Sequence, residues 1–263
     1  CAHALNASYK GKKIGSYDIG CHSFGENKIL RLGEGGAITT NDNSVFEKSL
    51  IIRHEGEIWN RTKKTAASGN KLLFKDVVGG IDYITEGHNF RISPIISALG
   101  IDKLKDIDEF IEKMNANSLF LKEKLSTIEN IKIQKSNDSG RNYSSFVAVF
   151  THTNFSRDEF LYALAKEGVP VGVHFPIALN ESSFWNNKFG NKESFPNAKF
   201  YVENHFALPI YPTMERHHLE IIVEKISLVI DSFNARPNEI KEKLKDFEKS
   251  EITNFYSGVY INV

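Results

Sequence analysis

Cysteine is scarce in this sequence of 263 residues: Cys1 and Cys21 are the two present, and neither lies in a CxxC or a cluster with histidine. That argues against a disulfide framework or a structural zinc site, and a reducing, cytoplasmic setting fits. An excess of charge is missing too, since 33 basic residues balance 33 acidic ones. Nothing in that balance steers the chain toward nucleic acid or an anionic membrane. No apolar run approaches the length of a membrane span, and no repeat or low-complexity tract is found. A signal peptide and an initiator methionine are also lacking, because Cys1-Ala2-His3-Ala4 opens directly into structured-looking sequence. The expectation is that an upstream part precedes it. What is present, 41% hydrophobic and 25% charged residues, suits a globular protein of one or two domains with a small-molecule partner.

Glycines and short β-prone runs dominate the first forty or so positions. Tyr17 to Phe24 and Ala37 to Thr40 read as strands around Gly33-Glu34-Gly35-Gly36, followed by a helix to about Arg53, capped by Asp42 or Asn43, with Val45, Phe46 and Leu50 on one face. This order suggests an α/β layer. From about His54 to His88 no period is clean, which reads as an active-site or interface loop. Ser93-Pro94 starts a helix, and Ile107, Phe110, Ile111, Met114, Leu121 and Leu125 form the apolar stripe of the next, placed as a bridge between two domains.

Ser145 to Phe150 reads as a strand, and Ser156-Arg157-Asp158-Glu159 as a capping box whose helix stops at Gly168. Val169 to His174 reads as a returning strand, followed by a loop rich in Phe, Asn and Trp. Glu215 to Phe233 carries Leu219, Ile222, Val223, Ile226 and Ile230 on one helical face and closes a small α+β domain. The expected division is therefore 1–105, 106–233 and a C-terminal extension 234–263 of unassigned role, with a charged helix-like piece from Glu239 to Lys249.

The stretch that carries chemistry is Ser23-Phe24-Gly25-Glu26-Asn27-Lys28 followed by Gly33-Glu34-Gly35-Gly36. It resembles the lysine motif of the DegT/StrS family of sugar aminotransferases, and the flanks agree. Ala2-His3-Ala4 with Tyr9-Lys10-Gly11-Lys12, and Gly87-His88-Asn89-Phe90-Arg91-Ile92-Ser93, resemble family segments. So do Gly172-Val173-His174-Phe175-Pro176 and Leu208-Pro209-Ile210-Tyr211-Pro212, in the family's order.

The resemblance implies the aspartate-aminotransferase-like fold (fold type I), here the C-terminal part of the large α/β/α domain plus the small α+β domain. It implies pyridoxal 5'-phosphate as cofactor, with Lys28 forming the Schiff base and moving the proton, a double task for which an amine is suited. By the same resemblance His3 lies near the ring hydroxyl and Ser23 binds the phosphate. Asn89 reaches the phosphate of a second subunit, in a homodimer with a shared active site. His174 and Tyr211 lie near the substrate mouth, and the acid that pairs with the ring nitrogen would stand just before Cys1. The substrates implied are a nucleotide-linked keto-sugar and an amino-acid donor such as glutamate.

The residues themselves leave other readings open. Ser23 also suits a strand-end serine bonded to backbone, Asn89 a turn or cap before the Ser93 helix, and His174 a structural histidine. Asn180 and Gly25 depart from positions where many members carry histidine, so the sugar is not carried over. A truncated, non-catalytic relative serving as a binding or dimerisation module stands as the alternative function.

Overall fold

The computed structural model describes residues 1–59, 81–134, 146–190 and 194–244. The chain divides into two compact units, Cys1–Ile107 and Asp108–Val263.

Among its described residues, unit 1 is built from hairpins and two helices. Strands β1 (Ser8–Tyr9) and β2 (Lys12–Lys13) pair across Lys10 and Gly11, whose φ values of 48° and 75° make the left-handed turn that matches strand twist. Strands β3 (Ile19–Ser23) and β4 (Gly36–Thr40) pair antiparallel from Ile19↔Thr40 to Ser23↔Gly36. Helix α1 (Asn43–Arg53) follows, its first turn held by Asp42 Oδ1, which accepts from the N–H groups of Ser44 at 2.7 Å and Val45 at 3.2 Å. The apolar stripe expected on α1 exists, but its residues are not buried: Phe46 is 54% exposed.

The expected loop from His54 to His88 contains β5 (Glu57–Trp59) paired with β6 (Ile81–Tyr83), and its residues 60–80 lie outside the described residues. Helix α2 (Pro94–Leu104) begins where Ser93-Pro94 indicated, with proline at its first position. The Ser93 side chain makes no capping bond, so proline's preset φ marks this start rather than the hydroxyl.

Unit 2 holds a three-stranded antiparallel sheet in the order β7 (Ile131–Ile133), β8 (Phe146–Phe150), β9 (His205–Leu208). On β8, Phe146, Ala148 and Phe150 are buried and alternate with less buried neighbours, as a sheet with one core face requires. Helix α3 (Ile107–Leu125) buries Ile111, Met114, Leu121 and Leu125. Helix α4 (Arg157–Lys166) starts on the expected capping box: Ser156 Oγ accepts from Glu159 N–H, and the Glu159 carboxylate accepts from Ser156 N–H at 2.7 Å. Gly168, with φ of 80°, ends that turn.

The loop expected after His174 contains a short 3-10 turn (Leu179–Glu181) and helices α5 (Ser183–Phe189) and α6 (Pro196–Asn204). Helix α7 (Arg216–Ala235) lays Leu219, Ile222, Ile226, Val229, Ile230 and Phe233 into the core. There Phe150 stacks on Phe160 at 4.2 Å and Phe155 on Phe233 at 4.0 Å. The extension expected from residue 234 begins inside α7 and continues as α8 (Pro237–Leu244), whose Ile240 packs against this core; residues 245–263 lie outside the described residues.

The strand expected over Val169 to His174 does not form. In its place one bridge joins Gly172 to Ala207 of β9.

Candidate active site

Lys28 sits in the loop that joins β3 to β4. Backbone bonds close that loop at its base: Phe24 N–H donates to Gly35 O at 2.9 Å and Leu32 N–H to Phe24 O at 2.9 Å. Inside it, Lys28 N–H donates to Gly25 O at 3.1 Å and Arg31 Nε to Lys28 O at 3.1 Å, a tight turn that fixes the lysine backbone at both ends. Helix α2 supports the far side, where Lys103 Nζ donates to Arg31 O at 2.9 Å and Leu32 lies against Gly100. Buried Leu30 anchors the same stretch.

The Lys28 side chain is half-buried, and its Nζ lies 3.0 Å from His3 Nε2. Residues 25 positions apart in the chain thus present an amine and an imidazole to each other. Ser23 stands at the end of β3, five residues earlier, and its Oγ accepts from Gly25 N–H at 3.4 Å. That long bond accepts into one oxygen lone pair, so the hydroxyl's own proton is left to donate elsewhere. The neighbouring His22 has its pKa lowered, first by burial, and its Nε2 lies 3.3 Å from Thr39 Oγ1.

Asn89 is exposed and is bridged, backbone to backbone, with His54 at the end of α1. Its segment is bolted there by His88 N–H to Ile52 O at 2.9 Å and Phe90 N–H to Arg53 O at 3.1 Å. It does not cap α2, whose N-cap is Ser93. A charged cluster that sequence reasoning did not single out surrounds this point: Arg91 bonds His54 Nδ1 and Glu55 Oε1, and His54 Nε2 faces Glu57 Oε2 at 3.1 Å. Its signal was faint, since His54, Glu55 and Glu57 lie in a stretch without periodicity.

In unit 2, His174 is half-buried and its backbone N–H donates to His205 Nε2 at 3.2 Å. Tyr211 is partly exposed, and its carbonyl accepts from Asn117 Nδ2 at 3.3 Å. The structure therefore brings the Lys28 amine to His3, sets Ser23 at the foot of the same β3–β4 loop, leaves Asn89 on an exposed bridge of unit 1, and places His174 and Tyr211 in unit 2.

Among the described residues no helix is long and apolar enough to cross a membrane. A sequence model of the DegT/DnrJ/EryC1/StrS aminotransferase family matches residues 1–227. An uncharacterized protein of Methanocaldococcus jannaschii is 28% identical over 234 residues, covering 87% of this chain and 58% of its own length. A UDP-4-amino-4,6-dideoxy-N-acetyl-beta-L-altrosamine transaminase of Campylobacter jejuni is 26% identical over 234 residues, covering 88% of this chain and 57% of its own length. The chain thus spans 57% to 58% of the length of these relatives. Among solved structures, PseC of Helicobacter pylori, an aminotransferase involved in the biosynthesis of pseudoaminic acid, superposes with a TM-score of 0.75 at 22% identity, over 89% of this chain and 59% of its own. The fold is accordingly that of the aspartate-aminotransferase-like enzymes, mixed helix and sheet. With the family model spanning most of its length, the chain belongs to the DegT/DnrJ/EryC1/StrS aminotransferase family.

Proposed function

We propose that the protein to which this chain belongs is a pyridoxal-phosphate-dependent aminotransferase that moves an amino group from a donor such as glutamate to a nucleotide-linked keto-sugar. The observation that carries this reading is the Lys28 amine held 3.0 Å from the His3 imidazole in a loop closed by glycines. Family membership and the names of relatives, a transaminase acting on a UDP-linked amino sugar among them, point the same way.

The residues present fit the cofactor. An amine suits its aldehyde, an imidazole suits its ring hydroxyl, and a serine hydroxyl beside backbone N–H groups suits its phosphate. When bound, pyridoxal phosphate supplies an aldehyde that condenses with amines and a ring that draws electrons from the carbon next to the nitrogen. Lys28 Nζ would hold the aldehyde, and the same amine would move the proton at that carbon. His3 orients the amine, since its ring nitrogen is within hydrogen-bond reach of Nζ. Ser23 Oγ would donate to a phosphate oxygen with the proton its Gly25 contact does not use.

Asn89, exposed on a segment tied to α1, is assigned to the cofactor phosphate of a second subunit in a homodimer. His174 and Tyr211 are assigned to the substrate side. The scarcity of cysteine supports a cytoplasmic setting. We divide the chain functionally into the end of a cofactor domain, 1–105, a small domain, 106–233, and the remainder.

The test uses the full-length protein. Its visible absorbance with pyridoxal phosphate is expected to vanish in Lys28→Ala, and borohydride reduction is expected to leave a phosphopyridoxyl group on the Lys28 peptide alone. A persistent band, or a label on another lysine, removes the assignment. No band in the wild-type full-length protein would favour the non-catalytic binding or dimerisation module.

A further inference from the structure

We infer that His205 is a positioning residue that sets the backbone of the Gly172-Val173-His174-Phe175-Pro176 segment, and so the place of the His174 side chain, by lending a ring nitrogen where a strand bond would otherwise run. The consequence for substrate rests on the aminotransferase reading above; the bonding does not.

The register makes the case. Gly172 and Ala207 exchange both backbone bonds, Gly172 N–H to Ala207 O at 3.1 Å and Ala207 N–H to Gly172 O at 2.8 Å. The next hydrogen-bonded pair of an antiparallel ladder lies two residues on, which sets His174 opposite His205. That pair does not form, and both backbone groups of His205 are engaged elsewhere. Its N–H closes the end of helix α6 on Tyr201 O, and its carbonyl accepts from Arg157 at 2.7 Å. The His174 N–H turns instead to His205 Nε2 at 3.2 Å.

The ring is built for this. His205 is 0% exposed, stacked on Tyr201 with centroids 4.3 Å apart and an interplanar angle of 2°. Its Nδ1 lies 2.7 Å from Tyr201 O, which can only accept, so Nδ1 carries the proton and Nε2 keeps a lone pair for the amide. Protonation would place an Nε2–H against the His174 N–H and abolish the bond. Two groups facing the ring resist that charge, Arg157 from α4, itself paired with Asp158, and His174 from the bridged segment; Tyr201 from α6 favours it through the carbonyl that accepts from Nδ1, while β8 offers no ionisable residue. Burial, opposed by the Tyr201 carbonyl and aided by Arg157 and His174, lowers the His205 pKa.

Amide exchange followed by mass spectrometry tests this on the full-length protein, with wild type, His205→Phe and His205→Gln compared. Phenylalanine keeps the stack on Tyr201 and loses the acceptor; glutamine replaces Nε2 by a carbonyl oxygen. Exchange in a peptide covering 172–175 is expected to speed about tenfold in His205→Phe, the worth of one hydrogen bond, with β8 and α7 unchanged. Glutamine should restore the protection. In the wild type the protection factor of that peptide should fall as the pH drops through the folded-state value of His205, and in His205→Gln it should stay level. Wild-type exchange in His205→Phe, a loss spread equally over β8 and α7, or matching pH profiles in wild type and glutamine variant would each overturn the inference. None of these readouts involves Lys28, so an absent cofactor band would sink the aminotransferase reading and leave this one standing.

Discussion

A side chain at Gly35 would begin 2.8 Å from Ile92 Cδ1, on a backbone whose φ of 122° L-residues rarely adopt. The isoleucine tip can move, but the dihedral cannot relax without opening the Phe24–Gly35 bond at the base of the lysine loop. Gly35→Ala is therefore expected to lower stability by about 1–3 kcal/mol, read as an earlier urea midpoint at unchanged slope; an unshifted midpoint would show that the loop tolerates the strain. His205 titrates in a definite direction. Its folded pKa lies below the ordinary 6.5, so the unfolded chain binds the proton first as the pH falls. The stability it contributes is complete above about 6.5 and is lost as the pH drops through the lower folded value. Of the site, what was legible was the loop itself, because Ser23, Lys28 and the glycines are close in sequence. His3 and Lys28 meet only in the fold; the family resemblance set each of them beside the cofactor and implied no contact between the two. His205 was not legible at all, since nothing near a lone histidine before Phe206-Ala207-Leu208 says that its backbone will be used up.

Elements were readable where a cap or a long period marks them. Helix α1 shows both a cap and an apolar repeat, α4 a capping box and a glycine stop, and α7 a long apolar repeat, and their observed bounds lie close to those expected. Strands β7 and β9 were missed for opposite reasons. The first is three residues long, and all four residues of the second are buried, which erases alternation. Helices α5 and α6 are short and lie among aromatic and amide residues with no stripe to read. The strand expected at Val169 to His174 had the right residue types, but Pro170 has no N–H to give and His205 leaves no backbone partner. The capping box on α4 is the element signal most open to measurement. Ser156→Ala removes the acceptor for Glu159 N–H and the partner of its carboxylate, and should cost about 1 kcal/mol in denaturant unfolding. A cost near zero would mean that the buried Arg157, bound to the carbonyls of Val202 and His205, fixes the start of α4 by itself.

Across the whole molecule apolar burial is uneven. Among the described residues the buried hydrophobic side chains of unit 1 are Ala7 and Leu30, whereas unit 2 gathers Phe146, Phe150, Phe160, Phe206 and Phe233 with the aliphatic faces of α3 and α7. Ile19 and Ile38 on the β3–β4 hairpin stay 51% and 55% exposed. Since burial of apolar area is the main favourable term in folding, backbone bonds in the hairpin should open locally, and those of β8, β9 and α7 only when the unit 2 core comes apart. Phe160→Ala separates these two routes in the 263-residue chain. Removing a ring that is 0% exposed and stacked on Phe150 should cost about 3–5 kcal/mol and accelerate exchange in β8, β9 and α7 accordingly. The β3–β4 amides, which never waited for that core, should exchange at their wild-type rate. Equal acceleration in the hairpin would show that it opens only with the core of unit 2, and that the lysine loop draws its order from burial elsewhere in the chain.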